Sequence, residues 1–517
     1  MGTRRGVGAL SAMLLLGAAP IAPVDLLIRG GAVYPGEAAP FTGDVAVRSD
    51  RIVAVGRRLS LPTRRTIVTR GMIVAPGFID PHTHIGDDLA SPDAAKRLIP
   101  MFLLQGVTTA FIGNDGNGEP EVAATLARAT AAPVGINYAT WVGFGAIRTR
   151  VMGMADRAPT TAETTAMRVL VAKGVCKGAL GLSAGLFYVP QSFATTGEVV
   201  ELAREAAIRG GRYDSHIRDE SSYSVGLAAA VEEVLTIGRE AKIPVHIAHI
   251  KALGIDVWGQ APAIIAKVRA ARAAGLNVTA DQYPWEASGT SLVAALVPRW
   301  AQDGGRAAML ARFDDPALAT RLAADIAENL RKRGGADKLL ITKGPEKGRT
   351  LAQVAGTGDA VVAAITTIRI GDPSVISFNQ RADDIAAFMR EPWVMTGSDA
   401  SPGHPRLYGS FARKWAQYVR ADKVLTPRQF VLQSATRTAR NFALKDRGEL
   451  RAGAFADIVV FDPARYAARA TYAAPTLPAA GVRTVIVNGR IAVEGGKLTD
   501  VAAGRALAHR PKSGSCP

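Results

Sequence analysis

Val74-Ala75-Pro76-Gly77-Phe78-Ile79-Asp80-Pro81-His82-Thr83-His84 is the stretch on which the reading of this chain turns. An apolar run is broken by Pro76 and Gly77, resumes as Phe78-Ile79, and ends in a polar segment holding two histidines. That is the pattern of a buried strand that delivers side chains at its end. Residues two apart on an extended strand face the same side, so His82 and His84 can grip one ion together. A His-x-His pair alone is weak evidence, because surface or core histidines fall at that spacing by chance. At the end of an apolar strand it becomes a candidate site.

Downstream of this stretch, apolar strand-like runs alternate with Ala-rich helical segments, which predicts βαβ units and a parallel sheet. The expected fold class is α/β: a (β/α)8 TIM-like barrel over 75–297 and 373–444. An insertion subdomain is expected over 298–372, where Arg321 to Arg333 reads as a charged helix and no catalytic group is evident. Short β-branched runs flank the barrel on both sides, as in Ile52-Val53-Ala54-Val55 and Ile458-Val459-Val460-Phe461. Segments 24–74 and 445–502 are therefore expected to pair into one small β-sandwich domain built from both chain ends.

The 517 residues are 48% hydrophobic and 21% charged, which supports a large core and excludes disorder as the main state. The net charge of +17 invites a nucleic-acid reading, but the basic residues are scattered singly with no aromatic interleaving. A small-molecule carboxylate is the expected partner and no nucleic acid is; the oligomeric state is not readable. Two cysteines, Cys176 and Cys516, exclude a disulfide scaffold and a four-cysteine zinc site. With one mid-chain and one near the last residue, a bridge between them is not expected. Arg4 and Arg5 before the apolar run Val7 to Ala19 read as an export signal within 1–23, too short for a resident span of about 20 residues. The expectation is an exported, periplasmic or secreted protein without a stable membrane span. The tail 503–517 is expected to be flexible.

Three further strand ends carry candidate groups. In Tyr213-Asp214-Ser215-His216-Ile217-Arg218-Asp219-Glu220, the period of two puts His216, Arg218 and Glu220 on one face. In Pro244-Val245-His246-Ile247-Ala248-His249 the histidines are three apart, so only one can enter the barrel mouth. His249 is taken as that one, and His246 is expected to pack between strand and helix. In Val394-Met395-Thr396-Gly397-Ser398-Asp399-Ala400, Asp399 after a Gly-Ser bend reads as a proton acceptor, the alternative being a cap for the next helix. Histidines and an aspartate from separate strands at one barrel mouth fit a hydrolytic metal site.

This constellation resembles the amidohydrolase superfamily and, within it, the D-aminoacylase (N-acyl-D-amino-acid deacylase) family. The resemblance covers nearly all of 25–497. It is carried by Gly178-Ala179-Leu180-Gly181-Leu182-Ser183-Ala184-Gly185-Leu186-Phe187-Tyr188-Val189-Pro190, by Ser215 to Glu220, and by Ala248-His249-Ile250-Lys251. Asp281-Gln282-Tyr283-Pro284 and His404-Pro405-Arg406-Leu407-Tyr408-Gly409 complete it. The resemblance implies a zinc enzyme with one or two ions that hydrolyses N-acyl-D-amino acids. It implies that His216 and His249 hold the tighter ion, that His82 and His84 serve a weaker site, and that Asp399 is the catalytic acid/base. It implies that Lys251, Tyr283 and Arg406 hold the substrate carboxylate. One departure stands out: where the family carries Gly-Asn-Cys-Gly with the cysteine as a metal ligand, this chain reads Gly113-Asn114-Asp115-Gly116. Asp115 is a harder ligand, which should relax the preference for zinc towards Mn or Co; its alternative role is a helix cap. Lys177 precedes its strand rather than ending it, which counts against a carbamylated-lysine bridge.

Tyr188, and with it Phe187, Trp285 and Met395, are candidates for an apolar acyl pocket, each with a core role as the alternative. The loop Trp141 to Arg148 is expected to build part of the pocket wall. The rival functions are another amidohydrolase reaction, namely a dipeptidase, a cyclic-amide hydrolase or a ring deaminase, and a catalytically inactive barrel acting as a binding protein.

Overall fold

A computed structural model describes Gly2 and residues 22–516. The charged start and apolar run read as an export signal lie outside the described residues. Parallel strands Phe78–Asp80, Val107–Ile112, Asn137–Thr140, Gly181–Gly185, Arg212–His216, Val245–Ile247, Val278–Gln282 and Val394–Thr396 form the barrel. The Leu180 amide bonding the Thr140 carbonyl and a Thr83–Ala400 bridge close its two seams. Apolar faces of the outer helices, such as Leu227, Val231, Val234 and Leu235 of Leu227–Glu240, cover the strands. Among the described residues no helix is long and apolar enough to cross a membrane.

The two chain ends meet in one nine-stranded sheet, where Ile458–Phe461 runs antiparallel to Ile73–Pro76. Alternation along that strand divides the packing. Ile458 and Val460 enter the core of the small domain, whereas Val459 and Phe461 pack towards the barrel against Phe78 and Trp415. This sheet fixes the strand that carries His82 and His84.

The excursion between the last two barrel strands starts and ends closer to the barrel than 298–372. Strands Ala287–Ser291 and Ser374–Phe378 pair antiparallel as its base, and Leu339–Ile341 joins them. Its own core gathers Leu296, Met309, Ile326, Leu330 and Ile368.

The last residues differ from the flexible tail expected of them. The Gly504 amide bonds the Val134 carbonyl, Arg505 and Leu507 pair with Tyr138, and the His509 amide bonds the Gly178 carbonyl. Leu507 packs against the barrel core of Phe111, Trp141 and Phe442. Only glycine fits at 504, because a Cβ there would sit 2.0 Å from the Ile136 carbonyl oxygen. The tail then places Cys516 beside Cys176, and the two form a disulfide across a sequence separation of 340. Distance along the sequence misled the expectation, since the tail returns to the helix Thr161–Cys176 by pairing with strand ends.

Two outcomes follow from this packing. A cross-link closing so long a loop removes much unfolded-state freedom. Cys516→Ser should lower unfolding stability by about 2–5 kcal/mol in denaturant titration, with the site cluster intact; an unchanged midpoint would assign the tail's order to its backbone pairing alone. Lys414 is fully buried, donates to the Thr396 hydroxyl at 2.9 Å, and is pushed down to about 7, chiefly by burial and further by Arg437. The unfolded chain holds this proton up to the ordinary lysine value of 10.5, so between about 7 and 10.5 it binds more protons than the folded chain. Lys414 should therefore make stability rise with pH across that window, by up to about 1.4 kcal/mol per pH unit. Lys414→Met should be more stable near neutral pH and should lack that slope; identical pH profiles for the two proteins would refute it.

Candidate metal centre and substrate cavity

The strand ends converge on Asp115. Its residue adopts a left-handed conformation, φ 59°, in the turn after Val107–Ile112. Asn114 pins that turn by donating to the Pro81 carbonyl at 3.1 Å and to Asp214 at 3.2 Å. Asp115 caps no helix, because the next one begins at Val122 with Glu121 as its cap residue. Its Oδ1 lies 3.3 Å from His82 Nε2 and 3.7 Å from His249 Nε2. Its Oδ2 lies 3.5 Å from His84 Nε2 and 3.6 Å from His216 Nδ1. One carboxylate thus meets four imidazoles, two at each oxygen.

Asp399 completes the ring from the opposite side. Its Oδ1 is 3.2 Å from His84 Nε2 and 3.8 Å from His82 Nε2, and its Oδ2 is 2.6 Å from Arg406 Nη1. It also has positive φ, 48°, and its amide bonds the His82 carbonyl. The helix after it starts at Arg406, with Pro405 as its cap residue, so the capping alternative for Asp399 falls. Asp80 ties both loops together, accepting the His82 amide at 3.2 Å and the Ser398 amide at 3.0 Å.

Burial opposes charge throughout this cluster; the partners outweigh it at Asp399, His82 and His249, whereas burial keeps His216 below its ordinary value. It would raise the Asp399 carboxyl, but Arg406, His249 and the bond from His84 hold it well below the usual carboxylate range. It would lower His82 and His249, but Asp115, Asp281 and Asp399 push His82 up to about 10, and Asp399, Glu220 and Asp115 push His249 up to about 9. The field at the centre calls for positive charge. His82 Nε2, both nitrogens of His216 and Asp115 Oδ1 are buried without a hydrogen-bond partner. The groups His82–His84–Asp115 and Asp115–His216–His249 each bring their ligand atoms within 4.8 Å of one another. Orphaned nitrogen and oxygen donors in this arrangement fit one or two divalent ions.

Lys251 is buried, and its Nζ meets Glu220 and lies 2.7 Å from His249 Nδ1. Tyr283 lies between two cations, with the Lys251 ammonium 5.6 Å and the Arg406 guanidinium 5.0 Å from its ring centre. The adjoining cavity, about 1540 Å³, is lined by His84, Asp115, Tyr188, Asp399 and Arg406, and the insertion contributes Thr290, Thr342 and Ile376. Gly145 and Ala146 represent the 141–148 loop there, while Trp141 lies in the barrel core. Tyr188 stacks edge-on against His216 at 4.8 Å. The other acyl-pocket candidates lie elsewhere: Met395 is barrel core, Trp285 is buried under Arg413, and Phe187 faces a neighbouring cavity.

Three readings need correcting. His246 points into the barrel, not outward, where its Nε2 donates to Asp281 Oδ2 at 2.9 Å and its Nδ1 accepts from the Thr279 hydroxyl at 2.8 Å. The strand ends at Ile247, so the period of two does not extend to His249, which turns inward through φ 33°. Arg218 does not share the face of His216, because the strand ends there and Arg218 forks onto Glu233 instead. Glu220, expected on the face of His216, and Asp281, named only within a motif, are part of the cluster: Glu220 Oε2 lies 3.7 Å from His216 Nε2, Asp281 accepts the His249 amide at 3.2 Å, and Gly397 passes so close that a Cβ there would sit 2.3 Å from the Asp281 Oδ1. Lys177 is an exposed helix-end residue.

The pattern that defines the amidohydrolase family matches residues 65–493. The chain is 35% identical to an N-acyl-D-glutamate deacylase of Alcaligenes xylosoxydans xylosoxydans over 90% of its own length and 93% of the relative. It is 33% identical to a D-aminoacylase of the same organism, covering 94% of this chain and 98% of that one. A crystal structure of the N-acyl-D-glutamate deacylase from Bordetella bronchiseptica, complexed with zinc and a phosphonate mimic of the tetrahedral intermediate, superposes with a TM-score of 0.80. The two chains are 33% identical over 94% of this chain and 100% of that one. With its barrel, its two-ended β domain and its ring of histidines around one carboxylate, the chain belongs to the amidohydrolase family, in its D-aminoacylase branch.

Proposed function

We propose that the protein hydrolyses the amide bond of N-acyl-D-amino acids, giving a carboxylate and a free D-amino acid. The observation that carries this reading is the convergence of four histidines on Asp115 with Asp399 and Arg406 facing them across a cavity. His216, His249 and Asp115 would hold the principal ion, and His82, His84 and Asp115 a second. Zinc bound there supplies Lewis acidity towards the scissile carbonyl and lowers the pKa of water.

The chain's own groups do the rest. Asp399, held ionised by Arg406, takes the proton from the attacking water and returns it to the departing nitrogen. Arg406 keeps a donor in reserve: Nη2 bonds Ser401 at 2.8 Å and Nη1 stands 2.6 Å from Asp399 Oδ2, while Nε makes no hydrogen bond. A guanidinium so placed can take a carboxylate in a two-point grip. Lys251 has three donors and spends two on Glu220 and His249, leaving one for the same carboxylate. Tyr283 fixes both cations by its ring face, and Tyr188 walls the cavity beside His216. Holding carboxylate and carbonyl together fixes the hand of the α-carbon. An exported location is part of the proposal, supported by the Arg4-Arg5 start with its apolar run and by the Cys176–Cys516 disulfide, a bond that persists in oxidising compartments.

Two experiments test this reading. N-acetyl-D-amino acids should be cleaved in preference to their L forms, dipeptides and cyclic ureides. Asp399→Asn should lower turnover roughly 10²–10⁴-fold with bound metal unchanged; near-normal turnover, or a preference for cyclic ureides, would defeat the proposal. Since a thiolate is softer than a carboxylate, Asp115→Cys should move metal preference from Mn and Co towards Zn, read as metal content after dialysis against an equimolar mixture. An unchanged metal ratio would show that Asp115 does not set the selection.

A further inference from the structure

His404 is a buried residue on the wall of the cavity, and the proposed mechanism leaves it without a task. It stands two residues before Arg406, where the helix Arg406–Arg413 begins. The first amides of a helix have no partner within it, and Pro405 has no N–H to offer. The His404 ring fills the gap, because its Nδ1 accepts the Arg406 amide at 3.0 Å. Its other nitrogen turns to the insertion. His404 Nε2 donates to the Ala287 carbonyl at 3.0 Å, at the start of the base strand Ala287–Ser291. Both ring nitrogens are thus spent, and the two bonds fix one neutral tautomer with its proton on Nε2. Trp285 and Tyr472 box the ring edge-on, with centroids 6.1 and 5.5 Å away.

The same strand lies against the Arg406 guanidinium. At Gly289 a Cβ would stand 3.2 Å from Arg406 Nη2, and 3.5 Å from both Arg406 Cζ and His404 Cδ2. The missing side chain lets the strand backbone back the guanidinium directly. Asp399 and Ser401 hold two of its nitrogens from the loop before the helix, at 2.6 and 2.8 Å. The other end of the insertion braces the same grip. Gln380, two residues past Ser374–Phe378, donates its Nε2 to the Tyr283 hydroxyl at 3.0 Å. The neck of the insertion therefore fixes both Arg406 and the ring that packs on it.

We infer that His404 is a positioning residue through which the base strand of the insertion seats the Arg406 guanidinium for the substrate carboxylate. This rests on the reading of Arg406 as a carboxylate-binding group and adds the residue that aims it. The test compares kcat/KM for the N-acetyl-D-amino acid that the parent cleaves best with kcat/KM for its carboxamide, which keeps the scissile bond and loses the negative charge. Arg406 also braces Asp399, so displacing it slows both substrates, and only the ratio isolates the grip. His404→Phe keeps a ring and removes both bonds; it should lower the parent's preference for the carboxylate roughly tenfold, since a misplacement of about 1 Å in such a grip is costly. Adding His404→Phe to Arg406→Ala should leave the ratio of Arg406→Ala unchanged, as expected of two residues acting through one guanidinium. Gly289→Ala pushes the guanidinium from the strand side on a backbone without positive φ, and should lower the preference in the same direction. A preference within about twofold of the parent's in folded His404→Phe, which includes an equal fall for both substrates, overturns the inference and leaves the proposed function standing. Where His404→Phe does not fold, the same result for Gly289→Ala overturns it. A parent that cleaves acid and carboxamide equally well overturns the role of Arg406 and the inference with it, and a parent that cleaves neither overturns the proposed function as well.

Discussion

The site is organised around the cost of burying the Asp115 carboxylate. An ionised carboxylate inside a protein costs several kcal/mol unless opposite charge meets it. Four imidazoles meet this one at 3.3–3.7 Å, delivered from three different strand ends. The surrounding acids push His82 and His249 well above their ordinary values, so positive charge belongs at the centre, as protons or as a metal cation. The backbone is strained to achieve this. Asp115, His249 and Asp399 all hold left-handed φ angles, a state that costs about 1–3 kcal/mol per residue where no glycine stands. Each is fixed by specific bonds: Gln191 Nε2 donates to the Asp115 carbonyl at 2.9 Å, the His249 amide donates to Asp281, and the Asp399 amide donates to the His82 carbonyl. The bonds that hold these three residues come from neighbouring segments of the barrel rim.

Below the cluster runs a polar chain from Asn441 through Thr279 and His246 to Asp281, buried among barrel strands. It satisfies Asp281 on one side while the His249 amide takes its other oxygen. Such a chain lets a carboxylate stand inside a barrel, and it explains why His246 could not be spared for packing outside. Above the cluster, the insertion supplies the far wall of the cavity, so the reacting groups come from the barrel while much of what surrounds a substrate comes from 287–378.

Much of this was legible from residues. The alternation of strands and Ala-rich helices gave the barrel, and histidines at apolar strand ends marked its active rim. Asp115 stood out because it replaced an expected thiol. The period-two argument worked on either side of short strands but failed beyond their ends: Arg218 and His249 lie past Arg212–His216 and Val245–Ile247, where turns rather than pleats aim side chains. The role of Asp281 was hidden because a carboxylate's partners are set by which strands become neighbours. Cys516 was misread for the same reason, its partner lying near in space and far along the chain.

That closing arrangement has a bearing on biosynthesis. The strand Ile73–Pro76, which leads into the first histidines, waits for Ile458–Phe461 as its neighbour, and the floor of the barrel waits for Gly504 to His509. A ribosome must therefore release almost the entire polypeptide before these edges are covered. These sheet edges therefore stay open in the nascent chain until its last segments emerge.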